Sequence, residues 1–271
     1  MTLVIALKWI RPEGEGVVIS SDSRASAGII AYEVKKIHPI VIARGKEEID
    51  LAIAGGAGES SLVKQGYEIA DVIIKKLSAK VGFRNLTKEE FKSTVAEIED
   101  NLIHRFSYLR SKGIQPAFEM ILGSIDPDEK KALLYQFNEY GLAEPVHDDP
   151  GFAIIGSGAM TGGLLLTHLL GYSPEKSSKL NLGVFSTFVI DMVSKINPTV
   201  GPFVDPNNSI YMRIEKNQIT MGTLKVEALK DYKKKVEQRK DLIKLLWKLA
   251  DRYGEDELRK KLEDFFQKKQ K

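Results

Sequence analysis

IDLAIAGGAGESSLVKQGYEIADVIIKKLSAK, residues 49–80, changes its periodicity partway along. The opening 49–54 is an apolar run of strand length, and Gly55-Gly56 reads as the breaker that ends it. From Ser60 onward the apolar residues fall instead at Leu62, Tyr67, Ile69, Ala70, Ile73, Ile74 and Leu77, one face of a helix over 60–80. The same switching continues in both directions. Toward the N-terminus, 3–9 and 17–21 read as the strands of a hairpin with a long polar loop at 11–16, and 34–43 is a further strand. Toward the C-terminus, Thr87 with Glu90 forms a capping box and opens a second helix. That helix carries Phe91, Val95, Ile98, Leu102, Phe106 and Leu109 and stops near Gly113. Strands return at 117–125, 132–137 and 152–155, then helices at 160–170 and 180–196, then strands at 209–214 and 218–221. Packing each helix pair on a sheet face predicts an α+β fold, a four-layer α-β-β-α sandwich over residues 1–222.

Residues 223–271 form a separate, helical extension. It holds 16 Lys plus Arg against 10 Asp plus Glu, a net +6, which leaves −3 on the rest of a chain whose total is +3. Because the acids are interleaved with the bases, the extension reads as solvated helix faces rather than as a nucleic-acid tail. The 271 residues contain no cysteine, which excludes disulfides, thiolate metal sites and a thiol nucleophile. No stretch has the basic start and apolar core of a signal peptide or the length of a membrane span, so a cytoplasmic protein without membrane partners is expected. His38, His104, His147 and His168 are scattered without metal-ligand spacing, and no metal or cofactor is expected.

Chemistry concentrates around Thr2. Trimming of Met1, usual before a small residue, exposes an α-amine of ordinary pKa about 7.7–8.0 beside the threonine hydroxyl, where it serves as a local base. Behind Thr2 follow Ser21-Asp22-Ser23-Arg24-Ala25-Ser26-Ala27-Gly28, Val34-Lys35-Lys36-Ile37, Ala54-Gly55-Gly56-Ala57-Gly58 and Gly156-Ser157-Gly158. In this order they resemble the proteasome β-subunit family of N-terminal nucleophile (Ntn) hydrolases and its bacterial relatives HslV and Anbu, over Thr2 to about Met221.

The resemblance implies roles residue by residue. Thr2 corresponds to the nucleophile, Lys36 to the catalytic lysine and Asp22 to the acid that holds it. Gly55 corresponds to the oxyanion-hole amide, and Ser157 to the serine beside the threonine amine. Ala25, Ser26, Val34, Ile53 and Ala57 correspond to the substrate pocket. Its four hydrophobic members carry no charge, so an apolar guest is expected.

Three departures stand out. The family's Asp-x-x-Ser-Gly appears as Asn197-Pro198-Thr199-Val200-Gly201, so Asn197 and Val200 replace an acid and a hydroxyl. The first hairpin is longer, and the C-terminal extension is additional. Together they resemble the archaeal connectases, which join peptides instead of degrading them. That resemblance implies a peptide or protein substrate, an amine-bearing acceptor peptide, and action without a ring. A ring-forming threonine peptidase and a silent ring subunit are the alternatives, and Asn197 and Val200 favour the silent one.

Overall fold

The first hairpin has no long loop. β1 (Val4–Arg11) and β2 (Gly14–Ser21) pair along their full length, Arg11 level with Gly14, so only Pro12 and Glu13 turn. The polar residues expected to form a loop stay in the ladder because each finds a partner. Glu15 Oε2 lies 2.9 Å from Lys8 Nζ and accepts the N–H of Ala132 at 2.9 Å. Gly14 adopts φ 138, and a Cβ there would come within 2.7 Å of Ile214 Cδ1. The computed structural model describes residues 2–27, 30–33, 35–45 and 47–269, with backbone only at 25–27, 30–33 and 265–269.

The hairpin is the centre of one five-stranded antiparallel sheet. Its order is β10 (Phe152–Ile155), β1, β2, β11 (Ser209–Glu215) and β12 (Gln218–Thr223). A second sheet runs β5 (Ile37–Arg44), β6 (Glu47–Gly58), β7 (Phe118–Ile125), β8 (Ala132–Phe137) and β9 (Ala143–Pro145). A small hairpin, β3 (Arg24–Ala27) with β4 (Ile30–Glu33), lies between β2 and β5 in the chain. The short strands β3, β4 and β9 have no counterpart in the sequence reading.

Burial shows how the layers stack. Val4, Ala6, Val17 and Ile19 from the first sheet share one core cluster with Ile53, Ala57, Ile121 and Leu134 from the second. The opposite face of the second sheet packs on α1 (Ser60–Lys80) and α2 (Lys88–Ser111) through Leu62, Ile74, Phe91, Phe106, Met120 and Leu122. Each of these large side chains contributes about 1.5–3 kcal/mol on leaving water. On the outer face of the first sheet lie α3 (Ala159–Leu164), which widens into a π-turn at Leu165–Leu169, and α4 (Leu182–Ile196). There Leu3 meets Gly158 and Gly162, and Ser20 donates to Ser186 Oγ at 3.0 Å. The result is the four-layer α-β-β-α sandwich. Since β1 and β2 are covered on both faces, they read as unbroken apolar runs and not as alternating ones.

Gly55-Gly56 does not end a strand. β6 continues to Gly58, with Gly55 level with both Ile37 and Ile121. The glycines are there for close approach. A Cβ on Gly55 would fall 2.8 Å from Val4 Cγ1, and one on Gly56 would fall 2.4 Å from Val63 Cγ1. The capping box expected at α2 is present, with Glu90 Oε2 accepting the N–H of Thr87 at 2.9 Å.

The chain divides into two compact units, Met1–Val226 and Glu227–Lys271. The second holds most of α5 (Val226–Tyr253) and all of α6 (Glu255–Lys269), with Leu242, Leu245 and Trp247 exposed. Among the described residues no helix is long and apolar enough to cross a membrane.

Candidate active site

Thr2 lies two residues before β1, beside the loop from β10 to α3. Its carbonyl accepts the N–H of Gly158 at 3.2 Å, and its own N–H donates to Ser157 Oγ at 3.2 Å. Gly156 is pressed so tightly against it that a Cβ would lie 2.3 Å from the Thr2 carbonyl oxygen. With φ 93 as well, only glycine suits that position. Thr2 is 4% exposed.

Asp22 follows β2 and is fully buried. All of its acceptor directions are used. Oδ1 takes the N–H of Leu3 at 2.8 Å and the Lys36 ammonium at 2.6 Å. Oδ2 takes the N–H of Arg24 at 3.1 Å and that of Gly201 at 2.7 Å. One carboxylate thus ties together the strand carrying Thr2, the residue before β5 and the loop after α4. This satisfaction lets a charge persist at zero exposure.

Lys36 is 7% exposed. Burial pulls its ammonium below the usual lysine range, against the opposing pull of the Asp22 carboxylate. Its backbone is fixed too: its carbonyl accepts Tyr67 Oη at 2.6 Å and the N–H of Gly56 at 3.1 Å. Burial raises the Tyr67 phenol far above its ordinary value, so it remains a donor. Gly55 therefore lies inside the sheet, level with Ile37, the residue after Lys36.

The loop after α4 differs from expectation. Val200 is 1% exposed and packs against Gly158. The hydroxyl missing there is supplied one residue earlier, by Thr199. Ser157 Oγ and Thr199 Oγ1 are 2.8 Å apart, and Thr199 Oγ1 donates to Asn197 Oδ1 at 2.6 Å. Asn197 Oδ1 also accepts the N–H of Thr199 at 3.0 Å, which fixes the amide's orientation, and Nδ2 donates to the Ser157 carbonyl at 3.0 Å. A continuous chain runs Thr2 N, Ser157, Thr199, Asn197. Thr199 was missed because the motif was matched by position rather than by hydroxyl.

Of the pocket residues, Ile53 and Ala57 face the space between the sheets. The side chains of Ala25 and Ser26, and all of Val34 and Met1, lie outside the described residues. A further group joins the site unannounced by any motif: Glu119 on β7, whose Oε2 accepts the N–H of Gly156 at 2.8 Å. Among the described residues no group of three or more His, Asp or Glu is arranged to hold a metal ion.

This architecture is a proteasome-like four-layer α-β-β-α fold. The chain is similar to the solved structure of an Anbu (Gly-1) mutant from Hyphomicrobium sp. strain MC1, with TM-score 0.63 and 16% identity over 92% of this chain and 97% of that one. That span is longer than the Met1–Val226 unit, so the likeness extends into the helical extension. At this identity the likeness carries the fold alone. No protein-family model and no curated protein matches the chain.

Proposed function

We propose that the chain is an N-terminal-threonine peptide ligase or transpeptidase. Loss of Met1 frees the Thr2 amine, and Thr2 Oγ attacks a peptide carbonyl. The peptide C–N bond breaks, the leaving amine takes the hydroxyl proton, and an ester to Thr2 remains. An incoming amine then attacks the ester, the new amide forms, and Thr2 Oγ regains a proton. Asp22 holds Lys36, whose depressed proton affinity eases transfer from the hydroxyl, and Ser157 receives the Thr2 N–H. Gly55 supplies the oxyanion contact by resemblance.

The observation carrying this reading is the buried Lys36–Asp22 pair, 2.6 Å apart, on a carboxylate that also accepts the N–H of Leu3, the residue after Thr2. A surface ion pair has no reason to be buried; a group that must move a proton beside a nucleophile does. Intact mass spectrometry with an activated acyl donor reads Met1 loss and a Thr2 adduct together. Retention of Met1, or an adduct that survives Thr2→Ala, overturns the proposal.

Hydrolysis is the second reading, and Thr199 favours it. Val200 removes a polar group that could hold water, but the Thr199 hydroxyl stands beside Ser157 in its place. Product analysis with and without an amine-bearing acceptor peptide separates the two. Ligated amide supports transfer; free acid alone supports a peptidase. A ligase of this kind is expected to act as a monomer, a peptidase in a ring, and gel filtration distinguishes them.

A further inference from the structure

Glu119 brings a charge to the surroundings of Thr2 that the expected pocket residues lack. It is level with Ala57 across the β6–β7 ladder, and Ile121 is level with Gly55. Residues opposite one another in an antiparallel pair share a face, as do residues two apart along a strand. Ile53, Ala57 and Ile121 all face the space between the sheets, so Glu119 does as well. Its place is the end of that space where Thr2 sits. There its Oε2 accepts the N–H of Gly156, the residue packed against Thr2.

This carboxylate is poised for a visitor. It is half-buried, not sealed. An ionised carboxylate has about four acceptor directions, and the Gly156 N–H takes one of them. Among the described residues no cation pairs with it, in contrast to Asp22. Burial pushes its carboxyl above the ordinary range while the Gly156 N–H draws it back. A partly desolvated carboxylate with free lone pairs gains most from a ligand that brings its own positive charge.

We infer that Glu119 selects the donor peptide by pairing with a cationic side chain next to the carbonyl that Thr2 attacks. The inference rests on Thr2 being the nucleophile. It replaces the expectation of a purely apolar guest: Ile53 and Ala57 are sealed in the core between the sheets, and half-buried Glu119 takes the ammonium or guanidinium head.

The test uses the full-length protein and acetylated tripeptide thioesters with Lys, Gln or Glu at the last or last-but-one position. Such donors acylate without a natural recognition sequence: Thr2 Oγ bonds to the carbonyl carbon, and the thiol leaves with the hydroxyl proton. Intact mass gives the acylation rate at Thr2. At one of the two positions the wild type is expected to prefer Lys over Glu by about tenfold. Glu119→Gln keeps an acceptor for the Gly156 N–H and should bring the preference within about threefold, while Glu119→Lys should invert it. Equal rates for all wild-type donors overturn the inference, as does a Glu119→Gln variant that slows every donor alike, the mark of a purely structural role. If no donor labels Thr2 in the wild type, the nucleophile reading itself is lost.

Discussion

The two halves of the site around Thr2 are built on opposite principles. On one side Asp22 and Lys36 are charged, almost fully buried and locked by backbone N–H groups from Leu3, Arg24 and Gly201. On the other, Ser157, Thr199 and Asn197 are neutral, at least partly solvent-accessible and joined by side-chain hydroxyls and an amide. A buried charge costs a great deal if left alone and is tolerated only when saturated. A neutral bond at the surface is worth about 0.5–1.5 kcal/mol net, since water replaces what is lost. The first half therefore ties the Thr2 segment into the fold, and the second lines the Thr2 N–H at little structural cost.

The sharpest way to break this contrast is Asp22→Ala. It strands the Lys36 ammonium and three backbone N–H groups, so a loss of about 3–5 kcal/mol in chemical denaturation is expected, together with loss of Thr2 acylation. A loss below about 1 kcal/mol would mean that the buried half is no anchor.

Lys36→Met comes next. Asp22 keeps its three backbone donors, so the variant should fold with a smaller stability loss than Asp22→Ala. Acylation should nevertheless fall about 10²–10⁴-fold, the usual worth of a positioned proton-transfer group. The two variants also separate by pH. Lys36 has a lower proton affinity folded than unfolded, so folding releases its proton over the window that ends at the unfolded value of 10.5. In that window the unfolded chain binds more protons, and stability rises with pH. Below the folded value the ammonium is present in both states, and its desolvation cost is carried in full. Denaturation midpoints of the wild type should therefore climb relative to Lys36→Met as pH approaches 10.5, and parallel curves would contradict the shift.

The same contrast explains what could be read from the sequence. Long elements were legible because burial imposes a period. The helix expected over 60–80 is α1, with the same bounds, and the order of sheets and helix pairs is as expected. Asp22, Lys36 and Ser157 were singled out through the family resemblance; the fold brings Asp22 and Lys36 together in the buried half and sets Ser157 beside Thr2 in the other. Breaker logic failed where glycine serves packing. Gly55 and Gly56 looked like an end, but their missing Cβ atoms make room for Val4 and Val63. The expected loop at 11–16 failed because Lys8 and Ala132, far from it in sequence or on another strand, satisfy Glu15. Thr199 and Glu119 were hidden for a related reason. A hydroxyl can reach Ser157 from a neighbouring backbone position, and Glu119 is brought to Gly156 by the β6–β7 register, which no local pattern encodes.

The neutral half should respond more gently. Thr199→Val removes the hydroxyl that joins Ser157 Oγ to Asn197 Oδ1 and is expected to cost about 1 kcal/mol of stability and to slow acylation roughly tenfold, with Thr199→Ser restoring both. Asn197→Asp should do least, and its direction is the informative part. If Asn197 were simply a decayed acid, restoring the carboxylate would speed acylation. Its amide, however, performs two tasks at once: Oδ1 accepts from Thr199, and Nδ2 donates to the Ser157 carbonyl. An ionised aspartate keeps the first and loses the second, placing a carboxylate oxygen against a carbonyl oxygen. Acylation of Asn197→Asp should accordingly slow by a factor of about 3–10, with the fold nearly unchanged. A faster variant would show that the asparagine is a loss, and that the neutral half is a weakened copy of a charged one.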